Sequence, residues 1–252
     1  MKLFKLLLVI IPFALISCYQ DMDDNMPRQE NTPDPLDDNQ FITEDGEVFS
    51  TGLACTGTGN FSTGNTQILN DLEIPEELPE EFDLSEFLPP VGDQGQLASC
   101  SSWAVSYYLK SFQEYLENGE DYSSATTFSP SYTYNQLTMG ECGGTSIAET
   151  LDLVQEQGVS SLALFPYDEN GCSEQPTEEQ IAAAATARIS EFRSLSGQNM
   201  LAEMKTLITQ QQPIVIGAYL STEFGTTDSF GLTAYREHVV DYGTGDCHAM
   251  LV

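Results

Sequence analysis

An apolar repeat that starts just after Cys100 sets the first constraint on the fold. Val105, Tyr108, Leu109, Phe112, Tyr115 and Leu116 recur at three- and four-residue intervals, and the run stops at Asn118-Gly119. That spacing predicts a helix with one buried face and a glycine stop. It also places a thiol one or two residues before a helix, facing unpaired backbone N–H groups and the positive end of the helix dipole. The expected consequence is a thiolate at neutral pH, with a pKa below the free value of about 8.5. A nucleophile of this kind needs a base that can protonate a leaving amine, and donors for the oxyanion that forms on an attacked carbonyl. Gln94, upstream of the thiol, offers one donor through its side-chain amide, and the backbone N–H of Cys100 offers the other.

Three further helices follow from capping and periodicity. Ser146 and Glu149 stand at capping-box spacing ahead of the stripe Ile147, Leu151 and Val154, which closes before Gly158. An alanine-rich helix opens near Thr177 with Gln180 as its box partner, and another carries Leu201, Met204 and Ile208. Strands are expected only afterwards, in "PIVIGAYL" from Pro213 to Leu220 and in the apolar end "HAMLV". Helices first and strands later predict an α+β chain with two segregated lobes.

The N-terminal part has a different composition. Residues 1–18 hold Lys2 and Lys5, then the apolar run Leu6 to Ile16, which is shorter than the roughly 20 residues a spanning helix needs. The run predicts an export signal, and Leu15-Ile16-Ser17-Cys18 resembles the bacterial lipobox, in which the cysteine is acylated. The expectation is therefore lipidation at Cys18, attachment to the membrane through that lipid, and a place at the bacterial outer membrane or cell surface; an ordinary secretory peptide is the other reading. Residues 19–81, rich in Asp, Asn, Thr, Pro and Gly, read as a flexible acidic tether with too little to bury. Within the acidic stretch from Ile74 to Pro90, Leu84, Phe87 and Leu88 have the character to dock on a domain placed at 82–252.

The net charge is −31, or −33 without the two leader lysines, and only six Lys and Arg remain to meet phosphates. This excludes unassisted nucleic-acid binding. Six cysteines in an exported chain permit disulfides. With Cys18 lipidated and Cys100 free, Cys55, Cys142, Cys172 and Cys247 allow three pairings. No CxxC or paired-histidine spacing points to a metal, and the two histidines are His238 and His248.

The segment "DQGQLASCSSWAVS" resembles the active-site segment of the papain family of cysteine peptidases, Q-G-x-C-G-S-C-W-A-F-S, with Gln94-Gly95 on the oxyanion-hole pair and Ser99-Cys100 on the nucleophile. Further likenesses follow in family order. "FSPSYTYNQL" resembles S-P-x-Y-x-Y-N-Q, "CGGTSIAETLDLVQEQGV" the C-N-G-G segment with its helix, and "LFPYDENGC" the Y-P-Y turn. "QQQPIVIGAYL" resembles N-x-P-V-x-V, and "CHAMLV" the segment that holds the catalytic histidine. His248 lies 148 residues after Cys100, within the spacing of about 130–150 that the family shows.

The resemblance implies a two-lobe fold, a helical N-terminal lobe followed by an antiparallel β-barrel lobe that is incomplete here. It implies hydrolysis of peptide bonds in peptide or protein substrates through a thiolate–imidazolium pair and an acyl-enzyme, without a cofactor. Cys100 would attack, His248 would carry the proton and Gln94 would steady the oxyanion. Gly143, Gly144 and Thr145 would face the substrate, the second glycine presenting its backbone to an extended peptide. A disulfide between Cys142 and Cys172 is implied within the helical lobe, with Cys55 and Cys247 left over.

Three positions depart from the pattern: Leu97 replaces a cysteine, Ser101 replaces the tryptophan after the nucleophile, with Trp103 two places on, and the sequence ends four residues after His248 without the orienting asparagine. Trp103 itself is expected in the core rather than in the cleft. The expectation for the chain is a partial copy of a longer enzyme, against a genuinely short, inactive protein. Two other functions compete with peptidase: a non-catalytic surface lipoprotein using the fold as a binding platform, and a peptide ligase sharing the acyl-enzyme.

Overall fold

The computed structural model describes residues 51–54, 66–195, 197–220 and 247–252, together with the backbone of two short strands, β1 (Gln40–Ile42) and β2 (Val48–Ser50). Those two pair antiparallel, Phe41 opposite Phe49. The remaining strands are β3 (Gln67–Leu69), β4 (Arg193–Leu195), β5 (Val215–Tyr219) and β6 (Cys247–Leu251). β3 pairs parallel with β4, and β5 pairs antiparallel with β6. Among the described residues the sheets are two-stranded and none closes into a barrel.

The predicted helix after Cys100 forms as three consecutive segments: α1 (Cys100–Ser102), a π segment (Trp103–Lys110) and α2 (Ser111–Asn118). Gly119 ends it in the left-handed conformation, φ 68°, which glycine adopts without a Cβ clash. The wider π register brings residues four and five apart onto one side. Trp103 accordingly meets both Tyr107 and Tyr108, with ring centroids at 4.7 and 6.3 Å.

Against this helix pack α3 (Pro130–Thr138) and α4 (Ile147–Glu156), and α5 (Glu178–Ala184) and α6 (Met200–Thr209) follow in the chain. Ser129 caps α3 by accepting from Tyr132 N, and Pro130 at the first helical position needs no N–H partner. Ser146 accepts from Glu149 N at the head of α4, whose stripe Ile147, Leu151 and Val154 is buried as expected. Thr177 and Gln180 form a reciprocal capping box at the head of α5. In α6 the expected stripe is rotated: Leu201 is 67% exposed, while Glu203, Thr206 and Leu207 point inward. Met204 and Ile208 still pack against Leu207, so the predicted face is off by about one position.

The main core joins α1 and the π segment (Cys100, Ala104, Val105, Leu109) to α4 (Ile147, Leu151, Val154) and to the last two strands (Val215, Cys247, Ala249). Cys142 and Cys172 form the disulfide implied by the family resemblance. Leu97, where the family has a cysteine, packs with Tyr134 and Cys172 instead.

Short parts of the segment expected as a tether, residues 19–81, pack on the domain. Thr51, Gly52 and Leu53 are buried, and β3 lies in a second apolar cluster in which Leu69 meets Leu195, Leu207 and Ile214. A few apolar residues suffice because they dock on a surface that α6 and β4 supply, which local composition does not reveal. Leu84 is also buried, and Tyr122 donates to the carbonyl of Phe87, so the acidic lead-in docks as expected. Cys18 and His238 lie outside the described residues.

If β3 belongs to the folded unit, Leu69→Ala should lower its stability by about 3 kcal/mol, as buried leucine truncations do. Urea unfolding followed by circular dichroism checks this; a loss near zero would return the segment to the status of a tether.

Candidate active site

β6 organises the site by simple alternation. Successive side chains on a strand point to opposite faces. Cys247 and Ala249 are buried in the main core, whereas His248 and Met250 are partly exposed and, with Ala249 and Leu251, border a cleft of about 660 Å3. The same cleft is bordered by Gly92, Asp93, Gln94, Trp103 and Tyr108. His248 and Gln94, 154 positions apart, thus share one cavity. Trp103, expected in the core, is both nearly buried and a wall of this cleft. Gly92 makes room for it, since a Cβ there would lie 2.2 Å from the indole ring.

Cys100 is the first residue of α1, later in the helix than the predicted position ahead of it. It is a free thiol, 1% exposed, and its Sγ accepts a hydrogen bond from Ala249 N at 3.3 Å. The residue after His248 therefore touches the candidate nucleophile. Ser99, at the N-cap, makes no side-chain cap bond; its hydroxyl meets Tyr167 Oη at 2.8 Å. Tyr167 also donates to the carbonyl of Gln94 at 2.7 Å and packs edge-on against Trp103. One phenol thus ties the Gln94 backbone to the residue that precedes the thiol. Sequence reasoning missed this role, although Tyr167 stands within a segment the family resemblance singles out.

Burial opposes the expected thiolate. Burial pushes the Cys100 thiol up to about 12, against hydrogen bonds from Ala249 and Ser101 that favour the anion. Desolvation of the sulfur outweighs the helix end. Burial likewise holds the His248 imidazolium down, to about 4. At neutral pH both groups are uncharged in this state.

The Gln94 amide is engaged within the chain. Its Nε2 donates to Leu97 O at 2.7 Å and, more loosely, to Thr51 O at 3.5 Å. Thr51 opens a four-residue strap, Thr51–Ala54, that crosses the site. Gly52 N and Leu53 N donate to Cys247 O at 3.4 and 3.3 Å. Thr145 N donates to Gly52 O at 2.8 Å, and Ala54 N to Thr145 O at 3.0 Å. Leu53 and Thr145 form a parallel bridge. The strap lies against Gly144 so closely that a Cβ on that glycine would be 2.8 Å from Gly52 O. Gly143, by contrast, faces open space. Nothing local in "TGLA" signals this placement, since its partners lie at positions 94, 145 and 247.

Cys247 is disulfide-bonded. Cys55, the partner left over in the sequence, lies outside the described residues. Among the described residues no cluster of His, Cys, Asp or Glu is suited to a metal ion.

Comparison with solved structures places this architecture. The chain is similar to xylellain, a cysteine protease from Xylella fastidiosa, at 16% identity and a TM-score of 0.51 over 76% of this chain and 80% of that one. It is similar to procathepsin B S9 from Trypanosoma congolense at 18% identity and 0.53, over 80% and 69%. It is also similar to the digestive procathepsin L2 proteinase of Tenebrio molitor larval midgut, at 21% and 0.53, over 75% and 59%. The fold is that of the papain-like cysteine proteases. No protein-family model matches the sequence, and no curated protein matches it.

Within this papain-like fold the half-buried His248 has a consequence for stability. Its imidazolium is disfavoured when folded, so the unfolded chain binds more protons between the ordinary value of 6.5 and about 4. The stabilisation tied to neutral His248 is complete above 6.5 and is lost as pH falls toward 4. Relative to His248→Gln, the wild type should lose on the order of 2–3 kcal/mol over that interval. Melting temperatures measured across the range check it; parallel curves for the two proteins would contradict the burial of the ring.

Proposed function

We propose that the chain is a cysteine-type peptidase that hydrolyses peptide bonds in peptide or protein substrates. The single observation that carries this reading is the hydrogen bond from Ala249 N to Cys100 Sγ, which sets a free thiol at a helix start against the residue next to His248. The papain-like fold supports it.

In the proposed reaction, His248 takes the thiol proton and Cys100 Sγ attacks the scissile carbonyl carbon. The oxyanion accepts hydrogen bonds from Gln94 Nε2 and from Cys100 N. The short bond to Leu97 O fixes the Gln94 amide for that role, while its other hydrogen reaches only 3.5 Å to Thr51 O and can be given to a substrate oxygen. The tetrahedral adduct collapses as His248 protonates the leaving amine. Water, deprotonated by the same ring, then cleaves the thioester and restores the thiol. Gly144 and Thr145 offer a backbone edge on which an extended peptide can pair, as the strap does.

The finer architecture proposed is a helical lobe built on α1 to α4 and a barrel lobe of which β5 and β6 are two strands. Export and lipid attachment at Cys18, with a location at the outer membrane or cell surface, are proposed from the leader sequence alone.

The test is covalent labelling of the reduced protein by a peptidyl epoxide, read by peptide mass. The label should sit on Cys100, vanish in Cys100→Ala and form about 100-fold more slowly in His248→Ala. Gln94→Ala should lower kcat for peptide hydrolysis by about 100-fold with the fold intact, as losing one oxyanion donor does. A label that survives Cys100→Ala would point to another nucleophile and overturn the assignment.

A further inference from the structure

We propose that Tyr167 is a positioning residue for the oxyanion site: its hydroxyl, held between Gln94 O and Ser99 Oγ, fixes the spacing of the two donors, Gln94 Nε2 and Cys100 N. The inference rests on the peptidase reading and names a further residue on which its rate depends.

The direction of each bond follows from the groups present. Gln94 O is a carbonyl oxygen and can only accept, so the single phenolic hydrogen of Tyr167 goes to it, at 2.7 Å. The 2.8 Å contact with Ser99 Oγ then has the serine as donor and the phenol oxygen as acceptor. A relay results in which Ser99 donates to Tyr167 and Tyr167 donates to Gln94, each bond polarising the other in the same sense. Both ends of the relay bear on the oxyanion. Gln94 carries one donor on its own side chain, and the peptide bond of Ser99 leads directly to the other, Cys100 N. The turn between them is also drawn together by Leu97 O, which accepts from Gln94 Nε2 at 2.7 Å and from Ser99 N at 2.8 Å. One carbonyl of the turn and one phenol from 68 positions beyond Ser99 thus hold its two ends.

The phenol is itself held in place. Its ring packs edge-on against Trp103, with centroids 4.9 Å apart, and sits beside the cluster of Leu97, Tyr134 and Cys172. The segment that carries it is anchored on both sides: Phe165 is buried, Asp168 N donates to Ser131 Oγ at 3.1 Å, and Cys172 is in the disulfide with Cys142. Burial also raises the phenol above its usual value of 10.0, so the hydroxyl keeps its hydrogen and remains a donor at neutral pH. Ser99 is fully buried, and deleting the phenol oxygen would strand its hydroxyl among groups that cannot replace that partner. A donor pair displaced by a fraction of an ångström stabilises a developing charge less well, which is why such sites depend on the residues behind them.

The test is the kinetics of Tyr167→Phe in the full chain on a peptidyl anilide. The variant keeps the ring against Trp103 and removes only the relay. Its kcat should fall about tenfold with KM within about twofold of the wild type and the far-UV dichroism unchanged. Reaction of Cys100 with dipyridyl disulfide, which forms no oxyanion, should stay within about twofold. In a Gln94→Ala background the same substitution should cost less than about threefold, because the two residues act as a unit. Ser99→Ala, which removes the other hydroxyl of the relay, should lower kcat about threefold with the same constancy of KM, and carries the test if Tyr167→Phe does not fold. An unchanged kcat, a full tenfold loss retained in the Gln94→Ala background, or an equal loss of reactivity toward dipyridyl disulfide would overturn the proposal and leave the peptidase reading standing. A wild type that neither hydrolyses the anilide nor takes the epoxide label at Cys100 would refute that reading, and this assignment with it.

Discussion

The structure turns on a hydrogen bond between a strand backbone and a sulfur atom. Ala249 N and Cys100 Sγ, 3.3 Å apart, join the last described strand to the start of the first long helix, across 149 positions of sequence. Strand alternation does the rest. With Cys247 and Ala249 packed into the core, the partly exposed His248 borders the cleft that Gln94 and Trp103 also line. The antiparallel pairing of β6 with β5, His248 opposite Ala218, holds that alternation in register.

Two electrostatic influences compete at the sulfur, and burial decides between them. Donors from Ala249 and Ser101 favour the anion, as does a helix start, but a sulfur sealed from water loses more by charging than these bonds return. The same holds for His248, so the pair rests as thiol and neutral imidazole rather than as ions.

Much of the frame was legible because its signals are local. Ser146 and Thr177 announced helices by capping, and Gly119 announced a stop by its freedom at positive φ. The strands at Val215–Tyr219 and Cys247–Leu251 were readable from apolar runs, and the candidates Gln94, Cys100 and His248 were picked out through the family resemblance. What escaped depended on distant partners. β3 is a strand only because Arg193–Leu195 runs beside it, and Leu201 is exposed because α6 is rotated by its packing on Ile214 and Leu195. The strap Thr51–Ala54 has no periodicity of its own, and the raised thiol follows from burial that no local signal announces.

The ionisation of Cys100 tests this account most directly. The ultraviolet difference spectrum between wild type and Cys100→Ser, recorded against pH in the native state, isolates thiolate formation at this one sulfur. The account predicts no thiolate step until pH is well above the free thiol value of about 8.5. A step at or below that value would show an ionised, hydrated sulfur and contradict the buried, neutral site described above.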